Sequence, residues 1–211
     1  MSNKKVVITI ARQIGSGGAY VAQRLAKKLN FKYIDREILV FLSYKLGADL
    51  DYLKSRDEKK SSIFDNIFRS FAVGSPGVSY VPPDLSLLDD KKIFEAQSDI
   101  LRKIADRGNV VIVGRAAFRV LKDYENLISI FIHANREFRI KRIIDVYKVK
   151  NEDDAVKLID KVDEQRRVYT KDVTGFDWFD LKNYKMTFDS SFLGLMAIEE
   201  IVYECAMRKL S

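Results

Sequence analysis

The chain is poor in the residues that build disulfide frameworks and metal centres. Its 211 residues include one cysteine, Cys205, and one histidine, His133. A single cysteine excludes an internal disulfide, and the two residues together exclude zinc sites built from cysteine or histidine. The scarcity of cysteine also favours a reducing, intracellular setting, so we expect a cytoplasmic protein.

Proline, glycine and long apolar runs are scarce as well. Three prolines and ten glycines, beside 47% hydrophobic and 32% charged residues, exclude a low-complexity or collagen-like chain. The apolar run that follows the N-terminal lysines is far shorter than the roughly 20 residues of a membrane span. We therefore expect no membrane partner, and the length fits one domain with a substantial core.

Positive charge exceeds negative charge. The 37 basic and 30 acidic residues leave a net charge of +7, and much of the surplus lies on a predicted helix at residues 136–150. Such a surplus favours anionic partners, which could be nucleic acid, a membrane surface or small phosphates. Because no nucleic-acid-binding motif accompanies the basic helix, we do not expect nucleic acid as a partner.

Apolar patterning predicts alternating strands and helices. Buried strands are predicted at residues 6–10, 31–34, 110–113, 129–132 and 184–188. Helices are predicted at about 20–29, 36–46, 59–71, 93–105, 135–147, 152–169 and 195–207. The alternation predicts a three-layer α/β/α fold around a five-stranded parallel sheet. Residues 72–90, which contain all three prolines, are predicted to be irregular and either mobile or functional.

The segment between the first strand and the first helix consists largely of small residues. Four of them are candidates for binding phosphate: Gly15, Ser16, Gly17 and Gly18. Glycines at this place allow backbone N–H groups to converge on an anion at the helix N-terminus. A standard P-loop would continue with lysine and a hydroxyl residue, whereas here Gly18 and Ala19 stand in their places. A simple tight turn is one alternative. A dinucleotide site with Asp35 on the ribose is another, although Tyr20 replaces its third glycine.

Four ordered motifs extend over nearly the whole chain. They are ITIAR-x-x-GSGG at 8–18, YIDREIL at 33–39, VIVGRAA at 111–117 and TG-x-x-W-x-D-x-x-NY at 174–184. With them the chain resembles the cytidylate kinase-like family, a divergent branch of the P-loop nucleoside monophosphate kinases. This branch commonly has the lysine-free Gly-Ser-Gly-Gly loop.

The resemblance implies a P-loop kinase-like domain that transfers the γ-phosphate of ATP, with Mg²⁺, to a small acceptor such as CMP. It also implies an acceptor-side insertion at about residues 36–107 and a lid at about residues 136–180. A nucleotide-binding module without turnover is the alternative that the missing lysine leaves open.

Phosphoryl transfer depends on neutralising charge, so other cations must replace the missing lysine. Arg12, at the end of the first strand, is the first candidate. The resemblance also implies lid arginines: Arg139, Arg142, Arg166 and Arg167. Asp35, Arg36 and Arg115 are expected at the acceptor, and Asp35 is a candidate to hold water around Mg²⁺. The other metal ligands are not assigned, and Trp178 is predicted to pack in the core.

Overall fold

A computed structural model describes residues 4–35, 90–147 and 149–211. Within them lie five strands: β1 (Val7–Arg12), β2 (Lys32–Ile34), β3 (Val110–Val113), β4 (Leu127–His133) and β5 (Met186–Asp189). All neighbouring strands are parallel, in the order β2-β3-β1-β4-β5. The five predicted strands are confirmed, with ends that differ by at most two residues.

The central position of β1 follows from its sequence. Val7 pairs with Val110 of β3 on one side and with Leu127 of β4 on the other. A strand with neighbours on both sides and helices above and below needs apolar side chains on both faces, which the run from Val7 to Ala11 largely provides. The carboxyl end of β1 therefore meets those of β3 and β4 at one edge of the sheet.

Seven α-helices are present in the described residues. They are α1 (Gly18–Leu29), α2 (Asp90–Arg107), α3 (Ala117–Val120), α4 (Arg136–Tyr147), α5 (Glu152–Thr174), α6 (Ser190–Leu193) and α7 (Leu195–Leu210), with a 3₁₀ turn at Leu181–Asn183. Helix α5 continues beyond its predicted end to Thr174, and Gly175, with φ of 76°, closes it in the left-handed conformation. The helices predicted at 36–46 and 59–71 lie outside the described residues, as does the irregular segment at 72–90 except for Asp90, which begins α2.

Helices cover both faces of the sheet. Helices α1 and α7 pack on one face, where Leu25 and Val202 join Ile8 and Ile130 in a buried cluster. On the other face, α2 contributes Ile100, Leu101 and Ile104 to a second cluster with Val7 and Ile112. The result is the predicted three-layer α/β/α fold. None of the helices in the described ranges has the length and apolar character needed to cross a bilayer.

Helices α4 and α5 form a hairpin with a core of its own. Ile140 and Ile143 from α4 pack against Ala155 and Ile159 from α5. Ile14, from the loop between β1 and α1, is buried in the same cluster. The α4–α5 hairpin is therefore attached to the glycine-rich loop by apolar packing.

Candidate phosphate-binding site

The loop between β1 and α1 has a conformation that requires glycine. Gly15 and Gly17 both have φ of 79°, in the left-handed region where other residues are strained. A Cβ atom on Gly15 would also lie 2.9 Å from the carbonyl oxygen of Arg139. Gly17 is the N-cap of α1 and no side chain caps that helix. The first N–H groups of α1 are therefore left for an anion.

Arg12 fills the space in which a P-loop lysine would begin. A Cβ atom on Gly18 would lie 2.6 Å from the Cβ and 3.0 Å from the Cγ of Arg12. The side chain continues toward the end of β3, where a Cβ atom on Gly114 would collide with its Nη1. The Arg12 guanidinium thus lies across the carboxyl edge of the sheet, between the loop and β3.

A cavity of about 50 Å³ opens at the carboxyl ends of β1 and β3. This volume is sufficient for a few water molecules. Three arginines line it, namely Arg12, Arg115 and Arg166. Thr9 and Trp178 contribute to the same wall. The cavity therefore combines three cations in a partly enclosed space beside the glycine-rich loop.

Arg166 links α5 to β1. Its Nη1 donates a hydrogen bond of 2.8 Å to the carbonyl oxygen of Arg12 and lies 3.6 Å from Oδ1 of Asp163. Burial, and then the positive charge of Arg12, lower the pKa of Arg166 to about 10. The positive charges of Arg12 and Arg166 are thus held close together, with the Asp163 carboxylate nearby. A bound anion would relieve the repulsion between the two arginines.

The backbone at Arg115 is strained. Gly114, Arg115 and Ala116 have φ values of 78°, 56° and 51°, so three consecutive residues are left-handed. For residues with a side chain this conformation costs on the order of 1–3 kcal/mol each and persists only where the surroundings enforce it. The Arg115 guanidinium lies 5.0 Å from the centroid of the Tyr169 ring, a cation–π distance. The turn thereby places Arg115 at the cavity.

Arg139 and Asp163 enclose the backbone of Ile14. Arg139 Nε donates a hydrogen bond of 2.8 Å to the Ile14 carbonyl oxygen, and the Ile14 N–H donates one of 2.9 Å to Asp163 Oδ1. Arg139 and Asp163 also form an ion pair with each other. They are only 5% and 8% exposed, and burial lowers the pKa of Arg139 and raises that of Asp163. We call this arrangement of Ile14, Arg139 and Asp163 the Ile14 clamp.

The remaining candidates are placed at greater distance or outside the described residues. Arg142 contacts the ring of Tyr20 on α1, with 5.8 Å from its Cζ to the ring centroid. Arg167 is exposed and makes hydrogen bonds of 2.8 and 2.6 Å to the Glu164 carboxylate. In the described residues neither belongs to the wall of the cavity. Arg36 lies outside the described residues.

Asp35 lies at the end of β2 and is partly buried. Because β2, β3 and β1 are parallel neighbours, Asp35 lies at the same edge of the sheet as Arg12. Burial raises the pKa of the nearby Tyr33 phenol, and the charge of Asp35 raises it further, whereas the charge of Arg12 lowers it.

Trp178 packs as predicted. It is 4% exposed, and its ring meets that of Phe131 in a T-shaped contact with 5.2 Å between centroids. Because Trp178 also lines the cavity, it is a natural reporter of what binds there.

Sequence reasoning missed Asp163. The buried residues of α5 are Ala155, Ile159, Asp163 and Thr170. Their spacing places them on one face of the helix, so Asp163 is a carboxylate in an otherwise largely apolar stripe. The place of Asp163 on the buried face of α5 indicates a buried charge, although helical spacing alone does not identify Arg139 as its partner.

Comparison with known proteins agrees with this geometry. Residues 7–192 match the model of the cytidylate kinase-like family. A cytidylate kinase from Pyrobaculum islandicum is 26% identical over 191 residues, which cover 90% of this chain and 86% of that protein. The crystal structure of an uncharacterized protein from Eubacterium ventriosum superimposes with a TM-score of 0.70 at 22% identity, covering 96% of this chain and 99% of the other. The glycine-rich loop, the Gly-Arg turn after β3 and the α4–α5 hairpin all lie within the matched residues, and the chain belongs to the cytidylate kinase-like family.

Proposed function

We propose that the protein transfers the γ-phosphate of ATP to a nucleoside monophosphate such as CMP. The family and the fold indicate a nucleotide kinase-type phosphotransferase. The observation that supports the proposal most is the convergence of Arg12, Arg115 and Arg166 on one cavity beside the glycine-rich loop. Transfer of a phosphoryl group needs positive charge and precise placement more than covalent chemistry, and this arrangement supplies both.

The described residues suggest separate roles at the two ends of the cavity. The N–H groups at the start of α1 would bind the ATP phosphates, with charge from Arg12 and Arg166. Arg115, at the end of β3, would bind the acceptor phosphate, together with Arg36 on the acceptor side. Arg142 and Arg167 are proposed to reach the phosphates only in the nucleotide-bound protein, because both contact other side chains here.

Mg²⁺ would accompany ATP. Within the described ranges no group of three or more His, Cys, Asp or Glu side chains is placed to hold a metal ion. Nucleotide-bound Mg²⁺ does not need such a group, because it keeps several waters and takes only one or two carboxylates beside the phosphates. A single carboxylate near the phosphates therefore fits this ion. Asp35, at the carboxyl edge of the sheet, would orient one of these waters. When bound, the ion would supply positive charge at the phosphates.

The acceptor can be tested through Trp178. It is the one tryptophan in the sequence and lines the cavity, so an acceptor bound there should change its emission. We expect CMP to do so at lower concentration than AMP, GMP or UMP, and we expect ADP to form from Mg-ATP in its presence. If no nucleoside monophosphate supports ADP formation, the proposed reaction is wrong.

The role of Arg12 has a direct kinetic test. Arg12→Ala should lower kcat more than it weakens ATP binding, because charge that aids catalysis must act more strongly in the transition state than in the ground state. Loss of one such electrostatic contact costs roughly a hundredfold to a thousandfold in rate. Arg12→Lys should restore only part, because the ammonium lacks the planar fork of guanidinium.

The control is Arg102→Ala, which removes an exposed arginine of α2 that is paired with Asp99 at 2.9 Å. It should leave kcat unchanged. Equal kcat values for Arg12→Ala and the parent would eliminate Arg12 as the substitute for lysine.

A nucleotide-binding module without turnover is the second candidate. The observation that favours it is the collision between Arg12 and any side chain at position 18, which keeps a P-loop lysine out of its usual place. Tight binding of Mg-ATP without ADP formation, for every acceptor tried, would identify this function instead.

A further inference from the structure

Asp163 and Arg139 hold the loop by its backbone. We propose that they are positioning residues, which fix Ile14 so that the loop is shaped to receive the ATP phosphates before ATP binds. The inference rests on the proposed function, since it assigns the shaping of the loop to the α4–α5 hairpin.

The contacts are specific to the backbone of one residue. Both polar backbone groups of Ile14 are used, one by each member of the ion pair. The side chain of Ile14 is buried among apolar residues of both helices. Gly15, the next residue, lies so close to α4 that a Cβ would contact the backbone of Arg139. The loop is therefore fixed at two successive residues.

Packing alone does not account for the ion pair. Burying two charges is costly, and an apolar pair of similar size commonly stabilises helix packing at least as well. The surrounding cluster is already apolar, with Ile143 and Ile159 fully or almost fully buried. Only an acceptor, however, can satisfy the N–H of Ile14, and only a donor can satisfy its carbonyl oxygen. The requirement for polar partners of the loop explains why these two positions are not apolar.

Asp163 also connects the clamp to the cavity. Its Oδ1 accepts the Ile14 N–H and lies 3.6 Å from Nη1 of Arg166. The same Nη1 donates to the carbonyl oxygen of Arg12. One carboxylate thus helps to place the loop and one of the cavity arginines.

The hairpin contains a matched ion pair that serves as a control. Arg136 and Asp160 each lie three residues before a member of the clamp and join the same two helices at 2.8 Å. Both side chains are more than half exposed. In the described residues no hydrogen bond links this pair to the loop.

The decisive variant is Arg139→Met/Asp163→Leu, which replaces both members of the ion pair with apolar side chains. Arg166 also loses the carboxylate at 3.6 Å, but it keeps its hydrogen bond to the carbonyl oxygen of Arg12. Asp163→Asn, which keeps an oxygen acceptor for Ile14, is the milder companion if the double variant fails to fold. Asp160→Asn is the control. Each is compared with the parent by thermal unfolding, by hydrogen exchange of the Ile14 amide without nucleotide, and by titration with Mg-ATP.

We expect the double variant to keep a cooperative unfolding transition with a lowered Tm, because the buried Ile14 N–H and carbonyl lose their partners, and to exchange the Ile14 amide at least tenfold faster. Its KM for ATP should rise roughly ten- to hundredfold, as expected for loss of hydrogen bonds to charged groups, while the KM for the acceptor changes much less. Asp163→Asn should shift both values in the same direction, and Asp160→Asn should shift neither.

Two outcomes overturn this inference alone. If the parent binds Mg-ATP and the double variant binds it equally well, the clamp does not position the loop, although the proposed function stands. If Ile14 exchanges slowly in the double variant, the clamp does not hold the backbone at all. Failure of the parent to bind Mg-ATP would instead refute the proposed function, and this inference with it.

Discussion

Restoring the missing lysine should harm the protein. In Gly18→Lys, the new Cβ would lie 2.6 Å from the Cβ of Arg12. Carbon atoms pack at about 3.5–4.0 Å, so the two side chains would overlap by roughly 1 Å or more. Because the closest atom of Arg12 is its Cβ, rotation of the guanidinium cannot relieve the collision, and the backbone of β1 or α1 must move.

The cost can be worked out from this overlap. Forcing extra carbon atoms into a packed site costs roughly 1–3 kcal/mol. Replacing glycine at the start of a helix returns at most about 1 kcal/mol. The net loss for Gly18→Ala, the smallest version of the change, therefore lies between about 0 and 3 kcal/mol, with a central value near 1.5 kcal/mol. In a chain of this size the central value corresponds to a fall in Tm of roughly 3–6 °C. Gly18→Lys should lose at least as much, and it should not raise kcat.

A double-mutant cycle isolates the cause. The assay is chemical unfolding of Gly18→Ala, of Arg12→Gly and of the two combined. Arg12→Gly removes the Cβ with which the new atom collides, so Gly18→Ala should cost little or nothing in that background. If Gly18→Ala costs the same free energy of unfolding with and without the Arg12 side chain, the packing of Arg12 against position 18 is not as described.

Three further predictions follow from buried polar groups. Thr9 is 1% exposed, and among the described residues its Oγ1 has no hydrogen-bond partner. Thr9→Val should therefore keep or raise the free energy of unfolding, measured in urea. Ser129→Ala should lower it by at most about 0.5 kcal/mol, because the Lys185 N–H donates to the Ser129 carbonyl oxygen at 2.9 Å and only secondarily to Ser129 Oγ at 3.2 Å. Inorganic triphosphate should raise Tm by binding at the start of α1 beside Arg12 and Arg166, and Arg166→Gln should abolish most of that rise. Equal Tm shifts in the parent and Arg166→Gln would place the anion elsewhere.

Local patterns predicted the sheet because they record burial directly. The run at residues 110–113 is apolar throughout because β3 is covered on both faces, and its predicted bounds match the strand. The position of Arg12 followed from the end of β1. Partners across the chain were not predictable in this way. Ile14 and Asp163 are 149 positions apart, and no local period encodes which helix returns to the loop. The same limit applied to Arg139, which the sequence assigned to phosphate and the structure places against Ile14 and Asp163.

The lysine-free loop and the Gly-Arg turn after β3 accommodate the same side chain. Arg12 is the last residue of β1, so its backbone is held by the sheet, where it pairs with Ile132. To reach the cavity, its side chain passes Gly18 at the start of α1 and ends beside Gly114 at the end of β3, and a Cβ at either glycine would collide with it. Gly114 also has the left-handed φ that leads into Arg115. The arginine on the central strand therefore packs against glycine in both motifs, and at Gly18 the contact involves its Cβ, which cannot move away without the backbone. Arg12 occupies the space that the first side-chain atoms of a lysine at position 18 would need. The packing that places Arg12 beside the loop therefore disfavours lysine at position 18.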